Sequence, residues 1–137
     1  MDADVIAEVG AAFEAYEKAL VGNDVEAIMG FFAEGAVRYG VADQQVGLEE
    51  QRRWRLAQPP LPPGRRLKDT IVQAFGRDVA VVNTLFGYPG SEVLGRQSQT
   101  WVRRPEGWRI VAAHVSEPKE PGQPKEPGQP KEPGQPT

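Results

Sequence analysis

The residues best suited to chemistry gather in the stretch Gly95–Trp101, GRQSQTW, and at His114 a little beyond it. On a strand, Gln97, Gln99 and Trp101 share one face because side chains alternate. The stretch runs into VRRPEGWRIVAAHVS, which reads as the rest of a hairpin. A loop at Arg104–Gly107 pairs Arg103 with Trp108, then Trp101 with Ile110, Gln99 with Ala112 and Gln97 with His114. A buried polar group without a partner costs about 1–3 kcal/mol. The cluster is therefore a satisfied structural network or the lining of a cavity that binds something polar. Three such groups at one end of one face favour the cavity. His114 is the single histidine, so any histidine proton transfer depends on it. A one-residue slip would turn Arg96 and Ser98 inward instead.

Three further side chains could act on a small anion. Tyr16 lies among apolar residues at helical spacing, where a tyrosine is either core or a hydroxyl aimed into a cavity. Arg38 takes the strand face opposite Val37 and Tyr39, as an exposed edge residue or as a carboxylate clamp. Arg55, on a helix, is a candidate second anion contact. It belongs to a run with Arg52, Arg53, Arg65, Arg66 and Lys68 that reads mostly as a solvated face. Asp43 and Asp69 are the nearest candidate carboxylate bases, and turn or surface roles fit both better.

These side chains need a scaffold. Val5, Val9, Ala12, Phe13, Tyr16 and Leu20 recur at helical spacing, with Gly22 as C-cap. Asn23 and Glu26 form a capping box for a second helix burying Val25, Ile28, Met29 and Phe32. AVRYGV is a short strand. Gly47 precedes a third helix, LEEQRRWRLAQ, with Leu48, Trp54 and Leu56 as its inward candidates, stopped by PPLPPG. From Leu67 the chain reads as four strands in two hairpins. Helices segregated from an antiparallel sheet define an α+β fold, and a strongly curved sheet of this kind encloses a cone-shaped cavity. Both faces of the last hairpin are partly apolar, which predicts a subunit contact on the outer one. The domain is expected to span 1–116. Residues 117–137, with PKEPGQ three times in tandem, read as a disordered or polyproline-II-like tail.

Composition narrows the function. The formal net charge is -3 and there are no cysteines. Mild acidity gives no electrostatic basis for nucleic-acid binding. No segment resembles a signal peptide or membrane span, so a cytoplasmic location is expected. One histidine without cysteine disfavours zinc or iron, and no phosphate loop or Ser/Lys amidase pattern is present. No metal or cofactor is expected.

The helix-helix-strand-helix-meander order resembles the nuclear-transport-factor-2-like (SnoaL-like, cystatin-like) cone. YEKALVGNDVEAIMGFF, VRYG, the helix ending WR, FGRDVAVV and above all GRQSQTWVRRPEGWRIVAAHVS are similar to the AtzH-like family, which includes HpxZ-type proteins. That resemblance implies a small homodimeric protein of nitrogen-compound catabolism, acting beside an amidase-signature amidohydrolase. It also implies an amidohydrolase or decarboxylase step on a carboxylated urea, giving allophanate, with Tyr16 and Arg38 as the functional pair. Two positions depart from the family pattern: ADQQVG after VRYGV, and Gln58 where a second helix-three arginine is usual.

The expected enzyme is cofactor-independent. Arg38 and Arg55 hold a small anionic substrate, and Gln97, Gln99 and Trp101 line its site. Tyr16 stabilises or protonates the reacting carbonyl, and His114 shuttles the proton. The alternatives are a non-catalytic, metabolite-binding partner of an amidase and a dimerisation module.

Overall fold

A computed structural model describes residues 2–118. The repeats beyond Pro118 lie outside the described residues. Helix α1 spans Ala3–Val21 and ends at Gly22. Its N-cap is Asp2, whose carboxylate accepts from the Asp4 amide. Val5, Val9, Phe13 and Tyr16 form its buried stripe, each at most 4% exposed. Burying a side chain of this size contributes about 1.5–3 kcal/mol. The next position adds Glu17, a buried carboxylate beside that stripe.

Helix α2 is shorter than expected, Val25–Met29, and is capped by Asp24 rather than Asn23. Asn23 instead takes a left-handed φ of 52° and turns the chain between the helices. Phe32, expected on that helix, begins strand β1 (Phe32–Tyr39). Gly30 ends the helix, and Phe32 is committed to the sheet by its pairing with Ile110 on β6. A short strand β2 (Gln44–Val46), not foreseen, pairs antiparallel with β1. Helix α3 covers Leu48–Ala57 as expected, but it buries Gln51 and Arg55 while Leu56 is 67% exposed.

Strands β3 (Arg66–Ala74), β4 (Val79–Gly87), β5 (Gly95–Arg104) and β6 (Gly107–Ser116) follow the expected meander. The six strands form one curved, unclosed sheet in the order β2-β1-β6-β5-β4-β3. It is antiparallel except where β1 lies parallel to β6, so the all-antiparallel expectation is corrected there. The class is α+β, with the helices on one face of the sheet.

Register decides what faces inward. Arg103 pairs with Trp108 and Trp101 with Ile110, as the loop length requires. The next pair is Thr100 with Ala112, which leaves Val111 as an extra residue. Beyond this bulge, Gln99 faces Ala113 and Gln97 faces Val115, while His114 pairs with Ser98 on the outer side. The alternation in β6 is inverted from the bulge onward. Gln97 and Gln99 are buried as expected, and His114 is exposed.

Trp108 on β6 is 8% exposed. Its indole N–H donates to Glu8 at 3.1 Å, and Arg103 donates to the same oxygen at 3.0 Å. The Trp108 hydrogen bond, then the Arg103 hydrogen bond and charge, hold the Glu8 carboxyl below its ordinary range. A depressed folded-state pKa contributes stability above the ordinary carboxylate range and loses it as pH falls through the folded value. Glu8→Gln should therefore lower the melting temperature at pH 7 and make little difference at pH 3. An equal deficit at both values would refute the assignment.

Candidate functional site

Between the helices and the concave face of the sheet lies a cavity of about 150 Å³. Pockets for drug-sized ligands run from about 300 Å³ upward, so this one suits a small metabolite. Tyr16 from α1, Arg38 from β1, Trp54 and Arg55 from α3, and Gln97 and Gln99 from β5 all line it. Five of the expected site residues are thus brought together: Tyr16, Arg38, Arg55, Gln97 and Gln99.

Two are not. His114 lies on the opposite face of the sheet, against Tyr39 at 6.0 Å between ring centroids, because the Val111 bulge reverses β6. The thickness of the sheet separates it from the cavity. Trp101 is fully buried and lies behind the lining, where its indole N–H donates to the Gln99 side-chain oxygen at 3.0 Å. It supports a lining residue rather than facing the cavity.

Arg38 is held from the segment that follows its strand. Its Nη1 donates to Asp43 at 2.8 Å and to Gln45 at 2.9 Å. Asp43 also accepts from the Gln45 amide at 3.3 Å. The ADQQVG departure from the family pattern thus supplies the partners of the strand arginine. The Arg38 guanidinium carbon sits 4.3 Å from the Trp54 ring centre, a cation–π contact that fixes the plane of the charge.

Arg55 is a buried charge without a paired carboxylate among the described residues. It is 7% exposed, and its Nε donates to the neutral Gln51 side chain at 2.8 Å. It has no carboxylate within ion-pair distance among the described residues. Burial, and secondarily the nearby Arg38 charge, press its pKa below the ordinary arginine value. Tyr16, and after it the charge of Asp43, work the other way: the Tyr16 oxygen accepts from Arg55, which leaves the phenolic proton free to donate. Tyr16 itself is 4% exposed and wedged against Phe31 and Phe32 in edge-on contacts.

Sequence reasoning missed two functional neighbours. Arg65, assigned to a solvated run, turns inward with its side chain 4% exposed. It pairs with Glu17 at 2.8 and 3.3 Å and donates to Tyr88 at 3.2 Å and to Gln97 at 3.1 Å. Burial opposes its charge, but the Glu17 and Tyr88 interactions outweigh that and raise its pKa. The Gln97 amide in turn donates to Glu17 at 3.1 Å. The only local signal was Glu17, a carboxylate beside Tyr16 at the inner edge of the α1 stripe. Gly95 contributes indirectly: a side chain there would run into the Phe86 ring, which stacks on Arg65 at 4.4 Å. Leu61, Tyr88, Val115 and exposed Glu117 complete the walls and mouth.

A cone-shaped α+β fold around a small, arginine-rich cavity defines a pocket-bearing protein of the nuclear-transport-factor-2-like, cystatin-like class. The AtzH-like family model matches residues 1–121, and the chain belongs to that family. It is similar to a solved protein of unknown function from Pectobacterium atrosepticum, at 51% identity over 86% of this chain and 94% of that one, with a TM-score of 0.82. A cystatin-like protein from Burkholderia xenovorans is 48% identical over 85% of this chain and 93% of that one, with a TM-score of 0.80. A nuclear-transport-factor-2-like protein from Pseudomonas putida shares the fold at 20% identity, covering 88% and 91% of the two chains, with a TM-score of 0.77. No curated protein matches the chain. No helix among the described residues is long and apolar enough to cross a membrane.

Proposed function

We propose that the cavity binds a small carboxylate bearing a urea-like group and removes an N-carboxylate from it. The observation that carries this reading is Arg55, a buried guanidinium with no carboxylate partner among the described residues. A buried cation without a paired carboxylate is costly, and an anionic ligand is the natural complement. Arg38 and Arg55 hold the ligand oxygens, and Tyr16 supplies the proton. In the decarboxylation the C–N bond breaks, its electron pair stays on nitrogen, CO2 leaves, and nitrogen takes the Tyr16 proton, which solvent restores.

Hydrolysis is the less favoured reaction because it needs a base to activate water. Glu17 is engaged by Arg65 and Gln97, and Asp43 by Arg38 and Gln45. His114 faces away. The same observation supports the second reading, a metabolite-binding subunit of an amidohydrolase that does no chemistry itself.

The test is incubation of the protein with N-carboxylated ureas, following CO2 and ammonia separately. CO2 without ammonia marks decarboxylation, and ammonia marks hydrolysis. Binding without either marks the non-catalytic subunit. If turnover is seen, Tyr16→Phe and Arg38→Ala should each slow it by about 10²–10³-fold, the usual effect of losing one charge-stabilising donor. Rates within about threefold of wild type, less than one such donor is worth, would remove both assignments.

A further inference from the structure

We infer that Trp101 is a positioning residue that locks the Gln99 amide with its NH2 toward the cavity, so that the ligand must present an oxygen there. This deepens the carboxylate-binding reading and rests on it for the identity of the ligand, but the lock itself stands on geometry alone.

An indole N–H can only donate. The atom of Gln99 that lies 3.0 Å from it must therefore be the amide oxygen. Trp101 cannot yield, because it is 0% exposed, pairs with Ile110 and Ala80 on the neighbouring strands, and meets Phe31 edge-on at 6.3 Å. Residues 99 and 101 are next neighbours on one face of β5, so the strand itself sets their spacing. The other end of the amide, Nε2, is buried without a hydrogen-bond partner among the described residues, and Gln99 lines the cavity. A donor buried this way in a ligand cavity calls for an acceptor.

Gln97, two residues back on the same face, is the contrast. Its oxygen accepts from Arg65 and its nitrogen donates to Glu17, so both ends are engaged inside the protein. Of the two glutamines, Gln99 is the one whose amide nitrogen has no partner inside the protein among the described residues. The polar groups at the inner end also donate: the guanidiniums of Arg38 and Arg55 cannot accept, and the Tyr16 hydroxyl, whose oxygen is taken by Arg55, offers its O–H. The inner end of the cavity is thus lined chiefly by donors. It selects a molecule with oxygens at both ends, a dicarboxylate or a carboxylate with a carbonyl, and disfavours one that turns an N–H or ammonium toward Gln99. A site built to satisfy a hydrogen bond rejects the wrong partner strongly because its own group is then stranded.

Two measurements separate the lock from the ligand. In a 15N–1H spectrum the Trp101 indole signal, identified by its loss in Trp101→Phe, should exchange slowly with solvent, and Gln99→Met should shift it and speed its exchange. An indole signal unchanged in Gln99→Met overturns the lock. In calorimetry, wild type should bind malonate at least about 10-fold more tightly than β-alanine, which carries an ammonium at one end. Trp101→Phe keeps the charge of the site but frees the amide to turn, and should shrink that preference about 10-fold, one hydrogen bond's worth of discrimination. An unchanged preference in a folded Trp101→Phe protein overturns the selectivity. If that variant does not fold, Gln99→Met decides instead: its malonate affinity should fall about 10-fold, and an unaltered affinity refutes the contact. If wild type binds neither probe while the indole behaves as expected, the anion-binding function and the ligand preference fall and the lock stands.

Discussion

Glu17→Ala should destabilise the domain by about 3–5 kcal/mol, the range seen when one partner of a buried ion pair is removed. The Arg65 side chain is 4% exposed and Glu17 11%, so water cannot replace the lost carboxylate. The substitution also strands the Gln97 amide, which donates to Glu17 at 3.1 Å. For a domain of this size the melting temperature should drop by roughly 15 °C. The loss comes from an uncompensated charge rather than a lost attraction. The double variant Glu17→Leu, Arg65→Met should therefore recover most of it, as apolar replacement of buried pairs often does. A single-variant deficit below about 1 kcal/mol in denaturant titration, the value of an exposed pair, would show that Arg65 reaches solvent. A double variant no better than the single would show that the pair holds the fold through its geometry.

Arg55→Met should have the opposite profile, with a large loss of binding at little cost in stability. Without a carboxylate partner, the buried guanidinium contributes little net stabilisation to the empty protein. Its removal strands the Gln51 oxygen, at about 1–3 kcal/mol, and relieves a desolvated charge of comparable cost. The melting temperature should therefore move by only a few degrees. Malonate binding should fall at least about 100-fold, because a charge-assisted contact in a closed cavity is lost. The same logic predicts thermal stabilisation of wild type by malonate, about 2.7 kcal/mol at a hundredfold excess over Kd, and none for the variant. Binding within about threefold of wild type, under 1 kcal/mol, would transfer the anchoring role to Arg38.

These two arginines mark the boundary of sequence reasoning. Both sit in the basic stretch from Arg52 to Lys68, and composition treats them alike. Arg55 was a candidate only as a helix-borne cation, because the period of α3 was read with Leu48, Trp54 and Leu56 inward, whereas the folded helix buries Gln51 and Arg55. Arg65 follows a proline-rich loop with no period, so only the folded chain shows that it turns back under Tyr88 to reach Glu17. Glu17 carried a faint signal, one position after Tyr16 on a stripe that was otherwise apolar.

The amino-acid sequence by itself determined the element order of the meander, the curved α+β architecture, the face of Gln97 and Gln99, and the family. Those features follow from periodicity, caps and loop length, which are local, and from motifs legible residue by residue. Tertiary structure alone decided where β6 changes face. Val111, Ala112 and Ala113 are all small or apolar, so either register buries acceptable side chains, and the hydrophobic pattern cannot locate a bulge there. Packing between β5 and β1 places it, and that one extra residue sends His114 out of the cavity and brings Ala113 and Val115 in. Tertiary structure likewise decided that Gln97 is tied inside the protein at both ends of its amide while the Gln99 nitrogen is left without a partner among the described residues, because the partners that make the difference are distant in sequence or fixed by burial.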